Sequence, residues 1–375
     1  MKVLQLITRL DKGGAPRVFL KLVRGLRERG IEVVMATGPS QHPEEEPEEF
    51  SRRWRIPSHA LPSLRREITP VHDLLSLFQI IALIRRERPT LLHTHTTKAG
   101  ILGRIAGGLT GTRTIHTPHG HLFYGYFGKR KERLYVFLER LAARYCERII
   151  TISEDERREY LERGIGDKKK VVTIYNGIDV DRFTGDVGSV RRELGITPQA
   201  PVVGFVGRLE EVKGPYLFID AAMKIGKVCP QAHYLIVGDG PLRDGLMKKT
   251  HGVTNIHFLG HREDIADCLA AVDLLIIPSI NDGFNLAAVE AMASSKPIVA
   301  TAVGGLPEVV GDAGILVSSG DTSRMAQEAV KLINSPSLRK ELGTKGRRRS
   351  ELLFDWGVCL QRTIAIYRQV AGTAG

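Results

Sequence analysis

Short strand-like runs, apolar in the main, alternate with helix-patterned stretches along nearly the whole chain. The runs fall at residues 3–7, 31–36, 90–95, 112–117, 148–153 and 171–175, then at 201–207, 234–237, 256–259, 274–278, 297–301 and 315–317. Strands this short and apolar are buried on both faces, and strands joined through helices run parallel with right-handed crossovers. Gly13-Gly14 forms a turn before a helix at 17–29, which Gly30 ends. Helical spacing returns at 74–88, 98–107 and 132–147, and Ser153 is placed to cap a helix starting near Glu154. The acidic, proline-containing tract at 43–49 reads as an exposed loop. The 375 residues suit two successive parallel α/β domains, with the boundary near residues 180–200.

Composition narrows the class. With 42% hydrophobic and 26% charged residues, a disordered or fibrous chain is excluded. Cys146, Cys229, Cys268 and Cys359 form no CxxC pair, so a disulfide framework or zinc cluster is not supported and a cytoplasmic location is expected. The best apolar run, 74–84, contains Ser76 and Gln79 and is far short of the ~20 residues of a membrane span. The opening residues turn polar too soon for a signal peptide. The net charge of +12 is uneven: residues 1–180 hold 32 Lys and Arg against 21 Asp and Glu, and residues 181–375 hold 22 against 21. No helix-turn-helix, zinc finger or aromatic RNA-binding strand accompanies the basic half, which argues against nucleic acid.

Known nucleotide signatures are absent. Gly238-Asp239-Gly240 follows a strand, but Arg243 stands where GxGxxG needs its third glycine, and no GxxxxGK[ST] occurs. Two other strand-end loops stand out. Residues 278–293 run from a strand through a polar glycine loop into an Ala-rich helix, bracketed by Asp282 and Glu290. Residues 207–214 place Arg208 and Lys213 five residues apart before a helix, a pairing suited to a diphosphate.

Taken in order, the motifs resemble the family 4 (group 1) retaining glycosyltransferases of GT-B fold over nearly the whole length, with His93 to Gly100 and Thr117 to His121 resembling segments of bacterial polysaccharide-assembly members. The matching segments are Gly13-Gly14-Ala15-Pro16-Arg17, His93 to Gly100, Thr117 to His121, Asn176-Gly177-Ile178-Asp179, Val206-Gly207-Arg208 through Lys213-Gly214, Gly238-Asp239-Gly240-Pro241, Asp282 to Glu290, and Val303-Gly304-Gly305 with Pro307-Glu308. Asp282 departs from the family's usual glutamate by one methylene.

The resemblance implies an α/β architecture of two Rossmann-like domains facing across a cleft. Residues 1–180 would be the acceptor side, with the helix at 356–375 packing back on it, and 181–355 would bind the nucleotide sugar. It implies that Arg208 and Lys213 hold the donor diphosphate and that Glu290 accepts the ribose hydroxyls. Asp282 and the amides of Gly283, Phe284 and Asn285 would contact the transferred sugar, with Gly207 and Leu286 completing the donor loops. Gly14 would approach the phosphates, the Arg262 region the nucleobase, and His119 the sugar and β-phosphate. The implied activity is retaining, metal-independent transfer of a hexose-type unit from a nucleotide sugar to a glycan or lipid-linked acceptor. The expected donor is a UDP-sugar, which is a substrate, so no cofactor is expected. The excess of 18 Lys and Arg over 6 Asp and Glu in residues 51–148, beside the apolar helix, adds an anionic membrane surface as a peripheral partner.

Two other readings stay open on the residues alone. His93 and His95 on one strand face, with His119 and His121, resemble hydrolase zinc ligands, with Asp273 or Asp282 as improvised later ones; that would make a metal-dependent amidohydrolase. A catalytically weak nucleotide-sugar-binding protein is the other. Asp179-Val180-Asp181 spells a metal-binding DxD but sits at the domain boundary, where it reads as linker.

Overall fold

The computed structural model describes residues 1–120 and 128–372, so His121 lies outside the described residues. The chain divides into two compact units, Met1–Asn176 with Gly357–Gly375, and Gly177–Trp356.

Among the described residues of the first unit, seven strands form one parallel sheet: β1 (Lys2–Ile7), β2 (Glu32–Thr37), β3 (Ser58–Ala60), β4 (Leu91–His95), β5 (Thr114–Thr117), β6 (Arg148–Thr151) and β7 (Val171–Thr173). Their order is β3-β2-β1-β4-β5-β6-β7. The helices are α1 (Gly14–Glu28), α2 (Pro47–Trp54), α3 (Pro70–Glu87), α4 (Thr97–Thr110), α5 (Lys129–Ala143) and α6 (Glu154–Glu162). The second unit carries α7 (Val187–Glu193), β8 (Val202–Val206), α8 (Pro215–Val228), β9 (His233–Val237), α9 (Arg243–Lys249), β10 (Ile256–Gly260), α10 (Ile265–Ala271), β11 (Leu274–Ile277), α11 (Leu286–Ala293), β12 (Ile298–Thr301), α12 (Leu306–Val310), β13 (Gly314–Val317), α13 (Thr322–Ile333) and α14 (Pro336–Leu353). Its sheet order is β10-β9-β8-β11-β12-β13. The last helix, α15 (Trp356–Ala371), runs into the first unit. There it buries Cys359, Leu360, Ile364 and Tyr367, and the Arg113 guanidinium donates to the Val370 carbonyl.

The apolar runs account for these sheets. All four residues of β11 and of β12 are buried, as central strands covered on both faces require. Ser153 caps α6, its Oγ accepting from the Glu156 N–H at 3.1 Å. Two features differ from expectation. The acidic tract at 43–49 is not all loop, because α2 starts at Pro47, whose fixed φ and missing N–H suit a first helical turn. The edge strand β3 pairs with Met35–Thr37 and has no buried residue, so it carries no apolar run to signal it. Regrouping the chain by its compact units sharpens the charge contrast. The first unit holds 34 Lys and Arg against 20 Asp and Glu, and the second holds 20 against 22.

Candidate functional site

In a doubly wound sheet, ligands bind outside the carboxyl ends of the strands where the strand order reverses. In the second unit that point lies between β8 and β11. The loops leaving these two strands meet, the Ile280 N–H donating to the Val212 carbonyl at 2.9 Å. Gly214 makes this approach possible, and Gly304 lets the loop after β12 (Ile298–Thr301) close on the Asp282 turn. A Cβ on Gly214 (φ +67°) would lie 2.1 Å from the Pro278 carbonyl oxygen, and one on Gly304 (φ +51°) 2.2 Å from that of Asp282. No L side chain fits either place.

The closed loops form one polar cluster. Asp282, buried, accepts at Oδ2 from Lys213 Nζ (2.8 Å), Ser279 Oγ (3.0 Å) and Asn285 Nδ2 (2.7 Å). Asn285 also caps α11, its Oδ1 accepting from the Ala288 N–H at 2.8 Å. One carboxylate therefore fixes both an ammonium and the helix start. Gly283 lies in the turn, Leu286 opens α11, and Glu290 is buried farther along that helix. Phe284 packs edge-on against Phe354, ring centroids 5.6 Å apart.

Arg208 is not part of this cluster. It is more than half exposed and pairs with Glu210 at 2.6 Å. Arg262 spends its guanidinium on Glu193 (2.8 and 3.0 Å) and Asp264 (2.8 and 2.7 Å). Donating to Asp264 and then to Glu193 raises its pKa, and Arg262 in turn holds the Asp264 carboxyl below its ordinary range.

In the first unit the strand order reverses between β1 and β4. Gln5 there pairs in register with His93, and both are buried, as is His95. His93 bonds the Tyr367 hydroxyl through Nδ1 (2.5 Å) and Thr117 Oγ1 through Nε2 (2.9 Å). His95 bonds His119 Nε2 through Nδ1 (2.7 Å) and Gln5 Oε1 through Nε2 (2.8 Å). The Gln5 amide nitrogen donates to the Tyr367 hydroxyl at 2.8 Å, closing the network. His119 holds a left-handed backbone, φ +65°. Its turn is pinned by the buried Glu156, which accepts from the Gly120 N–H at 2.9 Å and the Ile152 N–H at 2.8 Å. Burial drives the pKa values of His93, His95 and His116 well below the usual imidazole range, and that of His119 down to about 4. Gly14 opens α1, and Glu44 braces its turn by accepting from the Gly13 N–H and pairing with Arg17, both at 3.2 Å.

The metal reading finds no support in this geometry. Both nitrogens of His93 and of His95 are taken, and among the described residues no group of three His, Cys, Asp or Glu is arranged to hold a metal ion. Asp273 accepts from Arg191 (3.1 Å) and the Val202 N–H (2.8 Å). Asp181 is exposed and pairs with Arg347 at 2.9 Å. Sequence reasoning missed Ser279, Glu156, Gln5 and Tyr367. Ser279 stood inside the loop already singled out, whereas nothing in the pattern connects Gln5 with Tyr367.

Two Rossmann-like units, each with its polar loops at the reversal of strand order, define the GT-B class. Residues 12–182 match the model "Glycosyltransferase Family 4", and residues 200–335 match "Glycosyl transferases group 1". The chain is 32% identical over 255 residues to the UDP-Gal:alpha-D-GlcNAc-diphosphoundecaprenol alpha-1,3-galactosyltransferase of Escherichia coli, covering 65% of this chain and 66% of that one. It is 29% identical to the D-inositol 3-phosphate glycosyltransferase of Salinispora arenicola, covering 97% and 89%. The crystal structure of Anabaena Alr3699/HepE in complex with UDP superposes with a TM-score of 0.83 at 23% identity, covering 98% and 100%. The chain belongs to the family 4, group 1 glycosyltransferases.

Proposed function

We propose that this glycosyltransferase moves a hexose-type unit from a UDP-sugar to a lipid-linked or glycan acceptor, with retention and without a metal, in cell-surface polysaccharide assembly. The observation that carries the reading is the Lys213–Asp282–Asn285 cluster at the sheet reversal of the second unit. Breaking the anomeric bond leaves positive charge on the sugar and extra negative charge on the diphosphate. An ammonium already oriented by a buried carboxylate stabilises that charge without reorganising, and Arg208 adds a second cation on leaving Glu210. Glu290 receives the ribose hydroxyls. Asp282 and the amides of Gly283, Phe284 and Asn285 serve the sugar, with Gly207 and Leu286 in the donor loops and the Arg262 turn at the base. Gly14 serves the phosphates and His119 the sugar. A diphosphate oxygen takes the acceptor's proton, so no carboxylate nucleophile is needed. The UDP choice draws support from the Escherichia coli relative, named for a UDP-Gal donor and a diphosphoundecaprenol acceptor, and from the HepE complex with UDP-glucose.

A lipid-linked acceptor calls for a membrane-facing surface, and α3 offers one. Val71, Leu74, Leu75 and Phe78, spaced as one helical stripe, are 48–70% exposed. Arg65 and Arg66 precede the helix, and Arg66 lies within electrostatic reach of Tyr135 on α5, where Leu134 and Phe137 are also exposed. No helix among the described residues is long and apolar enough to cross a membrane. Insertion of this stripe beside basic residues would hold the enzyme peripherally at the inner face of the cytoplasmic membrane.

Thermal stabilisation by UDP-, GDP-, ADP- and dTDP-sugars, each with and without EDTA, tests the reading. The expected result is a rise with the UDP-sugar that EDTA leaves unchanged, and a product with the donor's anomeric configuration. A rise with NAD and with no nucleotide sugar would overturn it.

A further inference from the structure

The hydrogen-bond network of the first unit has a direction. Gln5 turns its amide oxygen to His95 and its amide nitrogen to Tyr367. The oxygen only accepts, so His95 carries its proton on Nε2 and presents a lone pair at Nδ1. His119 must then donate from Nε2 to His95 Nδ1, 2.7 Å away. In the other direction, the Gln5 amide occupies the Tyr367 oxygen as donor, so the phenol proton goes to His93 Nδ1 and His93 donates from Nε2 to Thr117. Every ring is neutral and every proton is used once. Turning the Gln5 amide over would reverse each bond and put the His119 proton on Nδ1. The Nδ1 of His119 is buried and has no partner among the described residues.

We infer that Gln5 and Tyr367 are positioning residues that hold His119 as its Nε2–H tautomer, leaving Nδ1 to accept a hydrogen bond from a hydroxyl of the bound sugar. This rests on His119 lying at the sugar, as proposed above. It also sharpens that role, because a lone pair suits a hydroxyl donor and would repel a phosphate oxygen.

The test reads the ring nitrogens of the full chain labelled with 15N-histidine, with His119→Asn assigning the His119 signals. The wild type should show His119 protonated at Nε2. Tyr367→Phe and Gln5→Leu should give a mixed or reversed tautomer and lower kcat roughly 5–10-fold with unchanged affinity for UDP. Gln5→Glu keeps an acceptor facing His95 and should keep the tautomer and restore most of the rate lost in Gln5→Leu. A wild-type His119 protonated at Nδ1 overturns the inference, and so does an unchanged tautomer in both disrupting variants. The wild-type measurement needs no variant to fold. Should the tautomers behave as stated while no nucleotide sugar is turned over, the relay stands and the functional reading falls.

Discussion

The two units share one topology and fill its reversal point in opposite ways. Between β1 and β4, the first unit buries neutral histidines, an amide and a phenol in a closed network. Between β8 and β11, the second sets an ammonium on a buried carboxylate beside a capped helix start. The fold supplies free strand ends in both places, and the side chains decide the chemistry. A neutral network with one spare lone pair suits a hydroxyl, and an oriented cation suits a diphosphate. The surroundings follow the opposite sign: the neutral site belongs to the unit with a surplus of 14 positive charges, the charged site to the unit with a deficit of 2.

Acidification should separate the units most. The buried histidines titrate below their ordinary value of 6.5, so as pH falls the unfolded chain takes up protons first. Their stabilisation is full above about pH 6.5 and declines below it; for His119 the loss levels off near its folded value of about 4. The loss grows as pH falls below 6.5, so the first unit weakens steadily toward pH 5. Hydrogen exchange at pH 7 and pH 5, corrected for intrinsic rates, should show β4 and β5 losing protection. The second unit should lose less, since its acid-sensitive pair, His233 and His257, is only partly buried. Equal loss in both units would break the contrast.

Next in size is the charged site. Lys213→Ala should lower kcat by roughly 10²–10³, about 3–4 kcal/mol, and also lower Tm because Asp282 is left buried and unpaired. Arg208→Ala should cost a similar factor in turnover while Tm stays put, since its exposed pair with Glu210 contributes little. Glu290→Ala should weaken donor binding as well as turnover. Near-wild-type kinetics in all three would remove the donor from the second unit.

The smallest effect concerns the surface of the first unit. Phe78→Glu should weaken co-sedimentation with anionic vesicles about tenfold at low salt, and leave turnover of a water-soluble acceptor unchanged. Equal binding of the wild type to neutral and anionic vesicles would discard the membrane partner without touching the transferase.

Much of this is legible in the sequence. The strands announce themselves because central parallel strands must be apolar on both faces, and the turns because Gly214 and Gly304 sit where a Cβ would strike a carbonyl. The Asp282 loop was visible as a polar insertion between such a strand and an Ala-rich helix. What stayed hidden was pairing at a distance. Gln5 and Tyr367 are 362 residues apart in sequence. The Arg262 fork depends on Glu193, 69 residues away at the end of α7. Arg208 reads as a free cation until its local pair with Glu210 is seen.

Because α15 belongs to the first unit, residues 1–176 are completed by a helix that is made only after the second unit. During synthesis β1, β4 and β5 can assemble while the ribosome is still on the second unit, but Gln5 and His93 then lack the Tyr367 hydroxyl. Two polar groups stay unmatched in an interior sealed only once α15 has been made, at about 1–3 kcal/mol each. A stop codon at Gly357 therefore harms the first unit while leaving the second with all its residues. For the same reason, residues 1–176 expressed alone should be aggregation-prone, whereas a circular permutant that begins at α15 should let the nascent unit finish its interior before the rest emerges.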